Sequence, residues 1–208
     1  MRTRKVFVAG STGATGQVLV PMARAQGLEV VPHVRPKSAA SAAPGAAVFE
    51  LADAAALEKA LAECTTVISL IGTMRKRFAR GDTYQSSDIA TAVQLSTAAK
   101  KAGVDHFILL SAAGTGSGVG AYLKAKQKAE AAVRESGVGW TIFRPSSFIG
   151  GGHRAPPLME TFTRVFGLDG MRPITLEQLS TALLRCAKDR APLDTVVEGA
   201  PLWKLVNG

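Results

Sequence analysis

The sequence predicts an α/β domain built on a doubly wound parallel sheet. Short apolar runs alternate with helix-compatible segments along nearly the whole chain. Strands that alternate with helices pair in parallel through right-handed crossovers. The first such run, Lys5-Val6-Phe7-Val8-Ala9, leads directly into glycines at 10, 13 and 16 and then into a helical segment. At 208 residues the chain has the length of one domain with a full core.

The elements follow in order. A strand over 5–9 opens the chain, and a helix over 14–26 follows the glycines and closes at Gly27, in the C′ position. Pro21 falls inside this helix, removes one backbone hydrogen bond and is expected to kink it. A strand over 29–34 precedes an Ala-, Ser- and Pro-rich stretch over 36–45 that reads as a mobile loop. A strand over 47–50 leads to a helix over 53–62 with Asp53 as its N-cap. A strand over 65–70 and a helix over 83–102, closed by Gly103, come next. They are followed by a strand over 106–111, a helix over 121–136 closed by Gly137, and a strand over 140–144. Helices are read over 158–166 and 176–188, the second opened by a capping box of Thr175 and Gln178. A last strand is read over 195–197. No repeat or long linker breaks the order, so 1–208 reads as a single domain, in which about 150–190 forms a small segment on the ligand side.

Composition narrows the class. Hydrophobic residues make up 47% of the chain, ordinary for a folded protein. No apolar stretch approaches the roughly 20 residues of a membrane span. The glycine loop begins too early to leave room for a signal peptide, so a cytoplasmic location is expected. Cys64 and Cys186 form neither a disulfide framework nor a metal spacing, and read as packed thiols in a reducing compartment. His33, His106 and His153 fall on different elements, so no metal site is readable. The net charge is +9, but the basic residues are dispersed, with the densest groups at 2–5, 75–80 and 124–128. Aromatic residues, at 6%, do not interleave with them, so solvated basic faces are the better reading than a nucleic-acid surface.

The glycine loop has the layout of a Rossmann-type dinucleotide turn. Gly10 lets the strand turn sharply, Gly13 lets the backbone approach a pyrophosphate, and Gly16 lets the helix pack against the sheet. The first helical residues, Ala14 and Thr15, offer N–H groups and a partial positive charge to the phosphates. NAD-binding versions of this fold place a carboxylate at the end of the second strand to bind the ribose 2′-hydroxyl. Here that place holds Arg35, with Lys37 after it. A guanidinium there pairs with a 2′-phosphate, and Ser11 and Thr12 add hydroxyl donors, so NADP(H) is expected over NAD(H). Glu50 and Leu51 after the third strand are expected to border the adenine. Leu70, Ile71 and Gly72 after the fourth are expected to approach the cofactor from the sheet.

At these residues the chain resembles the short-chain dehydrogenase/reductase superfamily. The loop Gly10-Ser-Thr-Gly-Ala-Thr-Gly16 resembles that of its atypical and extended members, and the nearest likeness is to NmrA-like and Tat-interacting-protein-like oxidoreductases. The resemblance covers nearly the full chain. It includes 82–102, the strand Phe107-Ile-Leu-Leu-Ser111, Arg144-Pro145 and the stretch from Arg172 to Leu183. It implies chemistry by a tyrosine, a lysine four residues on, and a serine or threonine after the fifth strand; here these are Tyr122, Lys126 and Ser111. It also adds Pro145 and Phe148, beyond the sixth strand, to the expected cofactor set, along with Ser111 and Lys126. A spacing of four puts Tyr122 and Lys126 on one helical face. The ammonium is expected to lower the tyrosine pKa so that the phenol exchanges a proton with a substrate oxygen, and to bond the nicotinamide ribose. Hydride transfer itself belongs to the cofactor. One departure stands out: extended members carry the hydroxyl one position further on, where this chain has Ala112.

Two functions fit. The first is an NADPH-dependent reductase of a carbonyl-like small molecule, with Tyr122 as proton donor. The second is a non-catalytic NADP(H) sensor that engages a protein partner, favoured by Ala112 and the short segment after Gly150. Nucleic-acid binding is a weaker third. The chain is expected to be a monomer or a homodimer paired through the helices over 83–102 and 121–136. His153 and Arg154 suit either a substrate contact or a surface loop, and Arg75-Lys76-Arg77 either a phosphate cover or a solvated loop.

Overall fold

A computed structural model of the chain describes residues 4–72, 83–150, 163 and 168–208. The basic run at 75–80, His153, Arg154 and, apart from Thr163, the helix read over 158–166 lie outside the described residues.

Seven strands form one parallel sheet. In chain order the elements are β1 (Lys5–Ala9), α1 (Ala14–Ala25), β2 (Glu29–Val34), β3 (Ala47–Val48), α2 (Ala54–Leu61), β4 (Thr66–Ser69), α3 (Ala90–Lys101), β5 (His106–Leu110), α4 (Ala121–Arg134), β6 (Gly139–Phe143), β7 (Phe148–Ile149), β8 (Ile174–Thr175), α5 (Leu176–Asp189), β9 (Thr195–Val197) and α6 (Gly199–Asn207). The spatial order is β3-β2-β1-β4-β5-β6-β9, while β7 and β8 pair separately. Each neighbouring pair is parallel, with Phe7 opposite both Val31 and Val67. The doubly wound parallel sheet expected from the sequence is therefore the architecture found.

The central strands are continuous apolar runs because both faces of the sheet are covered. Side chains alternate between two cores. Val6, Val8, Ile68 and Ile108 pack with Leu19 of α1, Leu183 of α5 and Trp203 of α6. Phe7, Val67, Phe107 and Leu109 pack with Leu57 of α2, Leu95 of α3 and Val133 of α4. Cys64 and Cys186 are buried free thiols, and burial pushes both up to about 11, which leaves them unreactive at neutral pH.

The caps match the sequence reading. Asp53 accepts from the N–H of Ala56, and Thr175 and Gln178 form a reciprocal capping box. Gly27, Gly103 and Gly137 follow the helix ends with positive φ. The differences are local. The stretch expected as a mobile loop holds a 3-10 helix over Pro36–Ser41, started by a proline at its first position. The helix read over 83–102 begins as a π-helical turn, Gln85–Ile89, before α3. The edge strand β3 is two residues long, and α6 was not read from the sequence at all.

Pro21 lies on the exposed side of α1, and the helix runs on past it to Ala25. Proline in a helix interior costs about 3 kcal/mol relative to alanine, partly offset by its stiffening of the unfolded chain. Pro21→Ala is expected to raise the unfolding free energy by about 1–3 kcal/mol in urea denaturation; an unchanged or lowered midpoint would contradict this.

Candidate functional site

A cleft of about 530 Å³ opens at the carboxyl ends of β1 and β4, where the strand order reverses. Open parallel sheets bind ligands at such switch points. Gly10 has φ +85°, and a Cβ there would come within 3.1 Å of the Leu70 carbonyl carbon, so glycine is needed both for the turn and for its contact with the end of β4. A Cβ on Gly16 would lie 2.5 Å from the carbonyl oxygens of Gly10 and Ser11, so α1 can seat on the loop only with glycine there. Gly13 caps α1 without a side-chain hydrogen bond, and the first turn carries no acidic residue. The leading N–H groups of α1 are thus left for an anion in the cleft.

The cleft brings together most of the expected set: Gly10, Thr12, Gly13, Ala14, Thr15 and Gly16 on the loop; Arg35, Glu50 and Leu51 beyond β2 and β3; Leu70, Ile71 and Gly72 beyond β4; and Ser111, Tyr122, Lys126 and Phe148 at the inner end. Three expected residues lie outside its lining. The Ser11 hydroxyl donates to the His33 carbonyl at 2.7 Å, tying the loop to β2 instead of facing a phosphate. Lys37 sits in the 3-10 helix, and buried Pro145 accepts from the N–H of Ala113 at 2.9 Å. His33 forms part of the wall; burial lowers its pKa, its Nε2 bonds the Phe49 carbonyl at 2.9 Å, and it packs between Phe7 and Phe49. The opposite wall, unassigned from the sequence, presents Ser87, Thr91 and Gln94. Their spacing of four and three residues, which brings them to one helical side, was the available signal.

The inner end departs most from expectation. Lys126 is buried on α4, with its Nζ 3.0 Å from Asp88 Oδ1 and donating to the carbonyls of Ile71 at 3.3 Å and Leu110 at 3.4 Å. Lys126 is thus held by two carbonyl hydrogen bonds and by the charge of Asp88. The Nζ lies 6.0 Å from the centre of the Tyr122 ring. Gly72 leaves room for this arrangement, since a Cβ there would lie 3.1 Å from Nζ. The expectation of a tyrosine pKa lowered by lysine is overturned. Tyr122 keeps 36% of its surface exposed, and its partial burial first, then the negative field of Asp88 and then neighbouring Tyr84, raise the phenol above its ordinary value.

Ser111 is also held. Its hydroxyl donates to Glu130 Oε1 at 2.6 Å. Glu130, one turn beyond Lys126, is fully buried and takes a fork from Arg144: Nε to Oε1 at 2.9 Å and Nη2 to Oε2 at 2.7 Å. Arg134 adds a third partner at 2.8 Å. Burial alone would raise the Glu130 carboxyl, but the bonds from Arg144, Ser111 and Arg134 outweigh it and hold the group below its usual range. The sequence reading assigned no role to Glu130 or Asp88.

The glycine cradle, the open helix start and a cleft lined from the loop to Tyr122 fit a dinucleotide. A family of NAD(P)H-binding domains matches residues 10–190. This chain belongs to that NAD(P)H-binding family. No curated protein matches the chain. Among solved structures, a Bacillus halodurans protein assigned as an NAD-dependent epimerase/dehydratase superposes with a TM-score of 0.74 at 21% identity, covering 98% of this chain and 99% of that one. A short-chain dehydrogenase/reductase superfamily protein of Agrobacterium tumefaciens with bound NAD gives 0.70 at 16% identity, with 98% and 81% covered. A human epimerase family protein with NADPH gives 0.65 at 19%, with 94% and 73% covered. The family match and the shared fold agree with the resemblance to atypical short-chain dehydrogenase/reductases.

Removing one partner of a buried ion pair leaves the other charge uncompensated, at a cost of about 3–5 kcal/mol. Glu130→Gln is expected to lose about 3 kcal/mol of stability at neutral pH. Because the folded-state pKa of Glu130 is depressed, its contribution is full above the ordinary carboxylate range and is lost as pH falls through the folded value. The gap between wild type and variant in chemical denaturation should therefore close in acid; a gap independent of pH would refute the assignment.

Proposed function

We propose that the protein is a cytoplasmic NADPH-dependent reductase of a carbonyl-like small molecule. The observation that carries this reading is the shared cleft. The glycine loop and Arg35 lie toward β2, and Tyr122 lies beyond β5, on opposite sides of the switch point. Arg35 supplies a guanidinium where NAD-binding relatives of this fold carry a carboxylate, which suits a 2′-phosphate. The α1 start would hold the pyrophosphate, and Leu70 to Gly72 would border the nicotinamide half. NADPH held there would supply the hydride. Tyr122 gives its proton to the substrate oxygen as that oxygen gains negative charge, and its phenol is in the protonated, donating form at neutral pH. Two buried, unpaired thiols suit a reducing cytoplasm.

A second reading, a non-catalytic NADP(H) sensor acting through a protein partner, rests on one observation. Ala112 replaces the expected hydroxyl, and the neighbouring Ser111 hydroxyl is bound to Glu130, so no serine of this strand end is left to polarise a carbonyl.

Wild type is expected to bind NADPH at least about tenfold more tightly than NADH, read by nicotinamide fluorescence. Arg35→Ala should cost about 1.5–3 kcal/mol of NADPH affinity and little for NADH. Near-equal affinities in the wild type would remove the NADP(H) assignment. With a carbonyl substrate found by screening, Tyr122→Phe should lower kcat about 100-fold or more without weakening NADPH binding. A full rate in that variant would shift the reading to the sensor.

A further inference from the structure

Asp88 does more at this site than balance a buried charge. It sits in the π-helical turn Gln85–Ile89 and is itself buried, with its carboxylate 3.0 Å from Lys126 Nζ. Single π turns recur at functional positions, because they re-aim a side chain that a regular helix would direct elsewhere. The turn is anchored by Thr83 and Ser86, each of which bonds the other's backbone N–H through its hydroxyl at 3.0 Å. From the other side, the backbone of Gly72 packs against the pair; a Cβ there would lie 3.1 Å from Nζ and 3.9 Å from Asp88 Oδ1. Lys126 is thus clamped between α4, the end of β4 and the π turn.

The ionisable groups whose fields reach the Tyr122 hydroxyl among the described residues are Asp88 and Tyr84 on the segment that packs against α4, while Lys126 on its own helix stands 6.0 Å from its ring. The Tyr84 ring lies 5.8 Å from that of Tyr122. The carboxyl ends of β4 and β5 contribute Gly72 and the Ser111 hydroxyl to this end of the cleft, neither of which carries charge.

We propose that Asp88 is a positioning residue that neutralises Lys126 and so keeps Tyr122 in its proton-donating form into the alkaline range. The inference rests on the reading of Tyr122 as proton donor. In the donor step the Tyr122 O–H bond breaks and a new O–H bond forms on the substrate oxygen, as the hydride from NADPH adds to the carbonyl carbon. The tyrosinate left behind regains its proton from water. In the reverse direction tyrosinate would have to form first and act as base. A lysine with no counter-ion would favour that form; a lysine paired with Asp88 does not.

The test can be read without turnover. The chain has two tyrosines, so in a Tyr84→Phe background tyrosinate absorbance reports Tyr122 alone. With Asp88 in place, Tyr122 should stay protonated above the ordinary tyrosine value of about 10. Adding Asp88→Asn should lower the midpoint by about one pH unit or more. In an active enzyme the alkaline limb of kcat should move with it. An unchanged midpoint in Asp88→Asn overturns the inference. So does a midpoint at or below the ordinary tyrosine value of about 10 with Asp88 present, which needs no folded Asp88 variant. The two readings fail separately. If Tyr122→Phe keeps full turnover while Asp88→Asn still shifts the phenol, the catalytic reading falls and the electrostatic coupling stands. If Tyr122→Phe abolishes turnover and Asp88→Asn shifts nothing, Asp88 loses its role and Tyr122 keeps its own.

Discussion

Burying two carboxylates at the carboxyl ends of a parallel sheet obliges the fold to surround each with cations and donors. Asp88 and Glu130 are both without solvent contact in their side chains, and an uncompensated charge in that position would cost about 3–5 kcal/mol, a large share of a domain's stability. The compensation sets the geometry of the inner cleft. Lys126 is drawn down to Asp88 and to the carbonyls of Ile71 and Leu110. Arg144, just beyond β6, is drawn across to Glu130 on α4, and Ser111, just beyond β5, is turned to the same carboxylate. One stripe of α4 at four-residue spacing, Tyr122, Lys126, Glu130 and Arg134, therefore ties three strand ends and the π turn into one unit. Tyr122, at the open end of that stripe, lines the cleft, with Lys126 Nζ 6.0 Å from its ring.

The outer half of the cleft works by a different principle. There the contacts offered to a ligand are main-chain N–H groups, made accessible because Gly10, Gly13 and Gly16 lack side chains. A site built from backbone depends on local sequence, and this explains why it was legible from three glycines after an apolar run. The same holds for the sheet, since strands buried on both faces become continuous apolar runs, and for the caps at Asp53 and Thr175, which depend on residues three apart. Elements with weaker local signals were missed or shortened. The edge strand β3 has support on one side only, and α6 opens on Gly-Ala-Pro, which reads as a turn until Leu202 and Trp203 are known to pack on α5.

The charged partners at the inner end were not legible, because each pairing joins elements far apart in sequence. Tyr122 and Lys126 share a helix, so their spacing could be read, but Asp88 lies two helices away from Lys126 in chain order and Arg144 lies on the far side of β6 from Glu130. Without those partners, the spacing of tyrosine and lysine suggests an ammonium acting on a phenol. With them, the ammonium is already matched and the phenol is pushed the other way. Ser11 shows the same effect on a smaller scale. Its place in the loop suggests a phosphate donor, but the β2 carbonyl beside it takes the hydroxyl first.

The π turn is where this tertiary choice is written into local structure. A helix advances about 100° per residue, so one additional residue in a turn rotates everything before it by roughly that angle relative to everything after it. Beyond the turn, Leu95 and Ala99 of α3 hold the helix to the sheet through the second core. Within it, Asp88 is free of that register and reaches the cleft floor. In an unbroken α-helix with the same core contacts, the residue at 88 would point about a quarter of a turn away, and Lys126 would have two carbonyls and no counter-ion. The irregularity has a structural cost, because a π turn gives up regular hydrogen bonding. Its persistence here follows from what it secures, a buried carboxylate matched to a buried ammonium beside the tyrosine that faces the cleft.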